Sequence, residues 1–228
     1  MSEKMRIQKY LSQQGVLSRR EAEAYILQGW IKLNGQVVRE MGVQMDPSKD
    51  KVEVVKPGGS LKGKKTLAFN KPRGLATEDI PAFSPQFSGL NAVGRLDKES
   101  EGLILLSNDG PVTKAVTGDK HLIEKEYEVG VQEDIPLGKI RRMEEGIVLE
   151  DGMTMPAKAE RLSSHSFSLI IKEGRRHQIR RMCDALHMTV VSLRRVRIGS
   201  IKIGKLKPGE SRQLKETEAD SLKKALRN

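Results

Sequence analysis

A chain of 228 residues with 41 Lys+Arg against 30 Asp+Glu carries a formal charge of +11 and an isoelectric point near 9.7, which suits a polyanionic partner, most simply nucleic acid. No apolar run approaches the roughly 18 residues a membrane span needs, and no apolar stretch follows Met1–Arg6 to make a secretory signal. A lone Cys183 excludes a disulfide framework or a Cys-rich zinc site, so the chain reads as cytosolic.

Aromatic content is only 4%, so the core must rest on Leu, Ile, Val and Met, and the length allows one or two domains. The charge is unevenly spread. From Lys172 to Lys207 eleven basic residues stand against only Glu173 and Asp184, which a general solubility bias would not produce.

Ile7, Tyr10 and Leu11 at helical spacing predict a short amphipathic helix over 4–14. Ser18-Arg19-Arg20-Glu21 has the form of a capping box opening a second helix, with Ala22, Tyr25 and Ile26 as its buried stripe and Gly29 at its end. Arg19 and Arg20 then occupy a first turn, where the helix dipole disfavours cations. Two arginines among free backbone N–H groups make a phosphate site, the alternative being a solvated face. Asn34-Gly35 between Trp30–Leu33 and Gln36–Val38 is a hairpin signal, and Lys51–Val55 alternates as a further strand. Through Tyr10-Leu11, Ser18–Ala22, Gly29 and Leu33-Asn34-Gly35, residues 1–55 resemble the S4 RNA-binding module.

Residues 56–65 are Gly- and Lys-rich and read as a linker, with the second domain over 66–228. The linker nearly matches a phosphate-binding P-loop. However, Lys65 stands where Ser or Thr must reach magnesium, and no apolar strand runs into Gly58.

Thr66–Phe69 is predicted as a strand, 76–91 as a surface loop, and Leu103–Leu106 as a buried strand closed by Asn108-Asp109-Gly110. Just before that strand, Arg95 and Asp97 fall on one side of an extended segment bounded by Gly94 and Gly102. They make either a polar pocket or a surface ion pair. A short helix over 111–118, a strand over Ile123–Val131 with Tyr127 on its apolar side, and a helix over 137–145 follow. Strands over 157–162, 167–171 and 189–198 and a terminal helix over 216–227 complete the chain. Strands joined by short turns predict an α+β fold with a mainly antiparallel sheet.

Glu173 begins a predicted helix with Ile179, Met182, Cys183 and Leu186 as its buried stripe. Arg176 and Arg180 share a flank beside that stripe, so Arg180 can reach inward, while Arg181 points away. His177 has no partner at metal spacing and reads as a polar or RNA contact. Cys183 reads as a small core residue.

Phe69–Gly74, Gly94-Arg95-Leu96-Asp97, Lys125-Glu126-Tyr127 and Gly174–Met182, in this order behind the S4-like module, resemble the RsuA/RluB/RluF group of pseudouridine synthases. These isomerise uridine in ribosomal RNA. The resemblance covers nearly the whole chain. The Gly94–Gly110 stretch looks most like the large-subunit, RluF-like branch, although Ala92-Val93 departs from the Pro common before Gly-Arg-Leu-Asp.

The resemblance implies Asp97 as the catalytic aspartate, Arg180 as the basic residue paired with it, and Tyr127 as the residue that stacks on the base and removes the C5 proton. It implies that Arg95 holds the target nucleotide out of the helix. Lys71 and the cluster Arg175, Arg176, His177, Gln178 and Arg181 would bind RNA, with Arg19 and Arg20 doing so from the first domain. It implies no metal and no organic cofactor, a structured rRNA stem-loop as partner, no membrane, and a monomer. A small-subunit rRNA or tRNA target remains open, as does a non-catalytic assembly factor on the same frame. A zinc deaminase would need His-x-Glu with Pro-Cys-x-x-Cys, and a methyltransferase a Gly-x-Gly loop after a strand; both are absent.

Overall fold

The computed structural model describes residues 4–14, 16–55, 63–118 and 122–226. Most of the expected linker, 56–62, lies outside the described residues. The first part of the chain runs β1 (Met5–Arg6), α1 (Ile7–Gln13), α2 (Arg19–Leu27), β2 (Ile31–Leu33), β3 (Gln36–Val38), β4 (Gln44–Met45) and β5 (Val52–Val54). The capping box forms: the Glu21 N–H donates to Ser18 Oγ at 3.2 Å and the Ser18 N–H to Glu21 Oε2 at 2.8 Å. Asn34 and Gly35 both have positive φ, 50° and 82°, as the tight turn between β2 and β3 demands. Ile7, Leu11, Ala22, Ile26, Ile31 and Met45 close this small core. The two-residue ladder of β1 with β4 is too short to leave a sequence pattern.

The second part continues β6 (Thr66–Lys71), α3 (Ile80–Phe83), β7 (Asn91–Val93), β8 (Glu101–Ser107), α4 (Gly110–Thr117), β9 (Lys125–Val131), α5 (Leu137–Glu145), β10 (Val148–Leu149) and β11 (Gly152–Met153). It ends with β12 (Lys158–Ser163), β13 (Ser166–Ile171), α6 (Gln178–Asp184), β14 (Val190–Ile198), β15 (Ile201–Lys202), β16 (Ser211–Gln213) and α7 (Glu216–Lys224). A nine-stranded sheet has the order β12-β13-β9-β14-β8-β6-β16, with β7 added to β8 and β15 to β14. Every pairing is antiparallel except β14 with β8, so the expected α+β fold with a mainly antiparallel sheet is what forms.

Both faces of this sheet are covered. On β8, Ile104 and Leu106 join one apolar cluster with Ile140 and Met143 of α5 and Ile179, Met182 and Cys183 of α6. Leu103 and Leu105 join the other with Val112, Ala115 and Val116 of α4 and Leu222 of α7. Side chains alternate across a strand, so a strand buried on both faces must be apolar at every position. That is why Leu103–Leu106 reads as an unbroken run.

Two expectations need correcting. Segment 76–91 is not a surface loop: Ile80 and Phe87 are fully buried, and Phe87 packs on Phe69 with ring centroids 4.9 Å apart. The helix expected from Glu173 begins only at Gln178, because His177 before it is left-handed at φ 51°. Gly102, at φ +105° on β8, has a different cause from a turn glycine. A Cβ there would lie 2.3 Å from the Arg195 carbonyl oxygen, so only glycine lets β14 approach β8 at this register.

Candidate active site

The loop bearing Asp97 is fixed from several directions. Thr77 Oγ1 donates to the Leu96 carbonyl at 2.6 Å and accepts from the Leu96 N–H at 3.1 Å. The Ser100 N–H donates to the Asp97 carbonyl at 3.0 Å and the Gly74 N–H to the Lys98 carbonyl at 2.8 Å. Lys71 is fully buried beneath this loop, its Nζ donating to the carbonyls of Pro72, Leu75 and Lys98 at 3.0, 2.7 and 3.4 Å. Burial pushes its ammonium below the usual lysine range, against the opposing pull of the Asp97, Glu101 and Glu99 charges. The expectation that Lys71 binds phosphate is therefore corrected. With no exposed surface and three carbonyl acceptors, it braces the loop from within.

Asp97 faces a cleft of about 1100 Å³ that is also lined by Arg95, Tyr127, Arg176, His177, Arg180 and Arg195. Three of the four sequence motifs, distant along the chain, thus meet at one opening, and Lys71 of the fourth braces it from beneath. Asp97 keeps 36% of its side chain exposed, enough to be reached. Its nearest basic neighbour differs from the expected one. His177 Nε2 lies 3.4 Å from Asp97 Oδ1, whereas Arg180 Nη2 donates to the Glu99 carbonyl at 3.4 Å and Ser100 Oγ at 3.5 Å. In this structure Arg180 reaches inward as expected, but its Nη2 lies against the Glu99 carbonyl and Ser100 rather than on the Asp97 carboxylate. The left-handed turn at His177 swings its imidazole over the carboxylate, a placement a helix starting at Glu173 would have forbidden. Such backbone conformations cost on the order of 1–3 kcal/mol in non-glycine residues and cluster at functional sites.

Tyr127, 8% exposed, lies on β9 with its hydroxyl 3.4 Å from Arg195 Nη1. Arg95 is 84% exposed, and among the described residues its one ion pair is with Glu78 at 3.8 Å, so its guanidinium is free to turn to a ligand.

The rest of the expected RNA-binding set divides. Arg19, Arg20, Arg176 and His177 are exposed. Gln178 is buried and spans Glu173 Oε1, at 2.7 Å, and the Arg175 N–H, at 3.0 Å, so it braces the loop rather than reading RNA. Arg175 donates to Glu173 and to the carbonyls of Gly152 and Met153, and Arg181 grips both oxygens of Asp151 at 2.9 and 3.0 Å. Arg181 first, and Arg175 after it, hold Asp151 below the usual carboxylate range. Both guanidiniums are thus already matched to acids and carbonyls in this structure. They pin the β10–β11 hairpin at the rim of the cleft.

Cys183 is buried and its thiol is pushed up to about 12 by desolvation, so it is a core residue, as expected. Among the described residues no group of three or more His, Cys, Asp or Glu could hold a metal ion. None of their helices is long and apolar enough to cross a membrane.

Two cleft residues escaped the sequence reading. Arg195 stands two positions after Leu193 on β14, an inward place that an arginine takes only for a reason. Lys125 stands two before Tyr127 on the same face of β9, and desolvation first, then the Arg195 charge, push its ammonium down to about 8. An unfolded lysine titrates near 10.4, so between pH 8 and 10 the unfolded chain holds a proton that the folded one has released. Stability conferred through this group therefore rises with pH across that window and is lowest below it. Lys125→Met is expected to raise the melting temperature by a few degrees at pH 7. The advantage should shrink as the pH rises from 8 towards 10 in thermal melts; a pH-independent difference would contradict the buried charge.

Residues 65–185 match the RNA pseudouridylate synthase family, and residues 5–47 match the S4 domain. An uncharacterized RNA pseudouridine synthase of Aquifex aeolicus is 35% identical, covering 97% of this chain and 95% of its own. Ribosomal large subunit pseudouridine synthase B of Bacillus subtilis is 35% identical over 96% and 95% of the two chains. The dual-specificity RNA pseudouridine synthase RluF of Escherichia coli is 35% identical over 98% and 80%. A crystal structure of a pseudouridylate synthase superposes with a TM-score of 0.72 at 32% identity, over 96% of this chain and 99% of that one. Agreement of this extent, together with a cleft lined by three of the four motifs and braced by Lys71 of the fourth, places the chain in the RNA pseudouridine synthase family, with an S4 domain preceding the catalytic one.

Proposed function

We propose that this enzyme converts one uridine of large-subunit ribosomal RNA to pseudouridine, with residues 1–55 gripping the RNA, 56–65 as linker and 66–228 carrying the chemistry. The observation behind it is the cleft that gathers Asp97, Tyr127 and Arg180. The large-subunit assignment is supported by the name of the Bacillus subtilis relative.

The reaction exchanges the C1′–N1 bond of uridine for a C1′–C5 bond without hydrolysis or redox change, so it asks for no metal or organic cofactor. The base must first leave the stack, since its glycosidic bond is unreachable within a helix. Exposed Arg95, beside the cleft mouth, is the side chain suited to fill the space it leaves. Asp97 then attacks C6 of the ring or assists departure of the uracil from C1′, and Tyr127 stacks on the ring and takes the C5 proton. Arg180, at long hydrogen-bond distance from Glu99 and Ser100, stands beside the Asp97 loop and turns to the carboxylate as the nucleotide enters. The same reading has the enzyme working in the cytoplasm as a monomer.

Primer extension on carbodiimide-treated RNA from a strain lacking the gene tests the target. One stop should vanish from large-subunit rRNA. Loss of a stop from small-subunit rRNA or tRNA would overturn that target, and loss of none would overturn the proposed activity.

Arg19 and Arg20 project exposed from the capped start of α2. Each phosphate contact removed should flatten the dependence of log affinity on log salt by about 0.7–0.9, so Arg19→Ala with Arg20→Ala should flatten it by about 1.5. The helix should persist, because Ser18 and Glu21 still cap it and alanine is a good helix former. Filter binding across a salt series measures the slope, and an unchanged one would make these arginines a solvated face.

A further inference from the structure

Arg195 is 3% exposed, yet its guanidinium makes only one short bond, from Nε to the Leu103 carbonyl at 2.7 Å. Its Nη1 reaches Tyr127 Oη and the Arg95 carbonyl, each at 3.4 Å, and its Nη2 is buried with no hydrogen-bond partner. Among the described residues no carboxylate stands within ion-pair distance of it. A buried cation without a counter-charge is expensive, and a protein selected for stability alone would replace it with an apolar side chain. The surroundings confirm that the position is built rather than incidental. Gly102 must lack a Cβ for the Arg195 backbone to come this close to β8, and the guanidinium carbon lies 6.0 Å from the Tyr127 ring centroid.

We propose that Arg195 is a positioning residue for the isomerisation: it supplies the missing positive charge to the Tyr127 oxygen and fixes that oxygen against the loop that carries Asp97. One nitrogen, Nη1, bridges the Tyr127 hydroxyl and the carbonyl two residues before Asp97, so the two reacting groups share a single strut. The counter-charge that Arg195 lacks at rest is created in the reaction. For Tyr127 to take the C5 proton it must act as a phenolate, and that negative oxygen would lie 3.4 Å from Arg195 Nη1. In this step the C5–H bond breaks, its proton goes to the phenolate oxygen and its electron pair re-forms the C5=C6 double bond, expelling the Asp97 carboxylate from C6 on the adduct route or pushing the C6=N1 pair onto N1 on the other. N1, freed from the sugar, gains a proton from water. The tyrosine proton is released in turn, so atoms and charge balance over the cycle.

This inference rests on the reading of Tyr127 as the base, and the test separates the two. Large-subunit rRNA transcribed with uridine tritiated at C5 is the probe, and tritium release to water is followed with saturating full-length enzyme, below the melting temperature of each variant. Arg195→Met should lower the single-turnover rate by about 100-fold, the lower end of what a positioned general base supplies, with RNA affinity within twofold of the parent. Tyr127→Phe should lose at least as much, and adding Arg195→Met to it should cost less than threefold more, because Arg195 acts through the hydroxyl already removed. Arg195→Lys, which keeps the charge and most of the stem, should recover at least tenfold over Met when Tyr127 is present and nothing when it is Phe. That comparison stands on Lys against the parent if the Met variant does not fold. Losses that multiply in the double variant, or equal rates for Lys and Met beside Tyr127, would overturn the role of Arg195 while leaving the base intact. An undiminished Tyr127→Phe would overturn both.

Discussion

Asp97→Asn is expected to abolish isomerisation, by on the order of 10⁴-fold or more, the scale on which loss of an attacking group is felt, while RNA affinity stays within a few-fold. The amide occupies the same volume and can still meet His177 Nε2, 3.4 Å away from the present carboxylate. The loop should keep its shape, since its anchors are Thr77, Lys71 and backbone groups rather than the Asp97 side chain. What goes is the negative charge and the nucleophilic oxygen, and nothing else in the cleft can replace them. Lys125, Arg95, Arg176, Arg180 and Arg195 are all cations, and the other acid of the lining, Glu173, is bound to Arg175 and Gln178. Tritium release from C5-labelled rRNA and filter binding measure the two quantities. Turnover that survives the change would remove Asp97 from the mechanism.

Arg180→Met is the second large expected loss, about 100- to 1000-fold in turnover, the range for removing one preorganised electrostatic donor. Family resemblance assigns it to the aspartate directly. The structure has its Nη2 on the Glu99 carbonyl and Ser100 Oγ, two and three residues beyond Asp97. Both bonds are long, at 3.4 and 3.5 Å, so the guanidinium is loosely held and can turn to the carboxylate as a nucleotide enters. Methionine keeps an unbranched stem of similar length but removes every donor. Thermal stability should barely move, because hydrogen bonds of this length contribute little. Activity restored simply by raising the pH would mean that the guanidinium only tunes the ionisation of Asp97.

The elements readable from sequence are those whose cause is local. The capping box at Ser18 and Glu21, the Asn34-Gly35 turn and the stripe Ile179, Met182, Cys183 each sit within a few residues of what they determine, and each forms. Segment 76–91 was illegible for the opposite reason. Its Pro and Ser residues signal a loop, but Ile80 and Phe87 fold onto Phe69 across the sheet, a contact that no local pattern announces.

By itself the sequence determined a basic, two-part chain with a nucleic-acid-like charge balance and marked out its motifs, which follow from residue type and spacing carried before the chain folds. That a carboxylate, a phenol and a guanidinium supply the chemistry is what the resemblance of those motifs to the family implies. Tertiary structure alone decided what each cation does. Lys71, Arg175, Arg181 and Arg195 are the same to a sequence reader as Arg95 or Arg176, yet burial and partners turn the first three into braces and leave Arg195 enclosed beside Tyr127 without a counter-charge. A charge has no fixed role until its surroundings set how much water it keeps and which acceptors it meets. Those surroundings come from strands far apart in the chain.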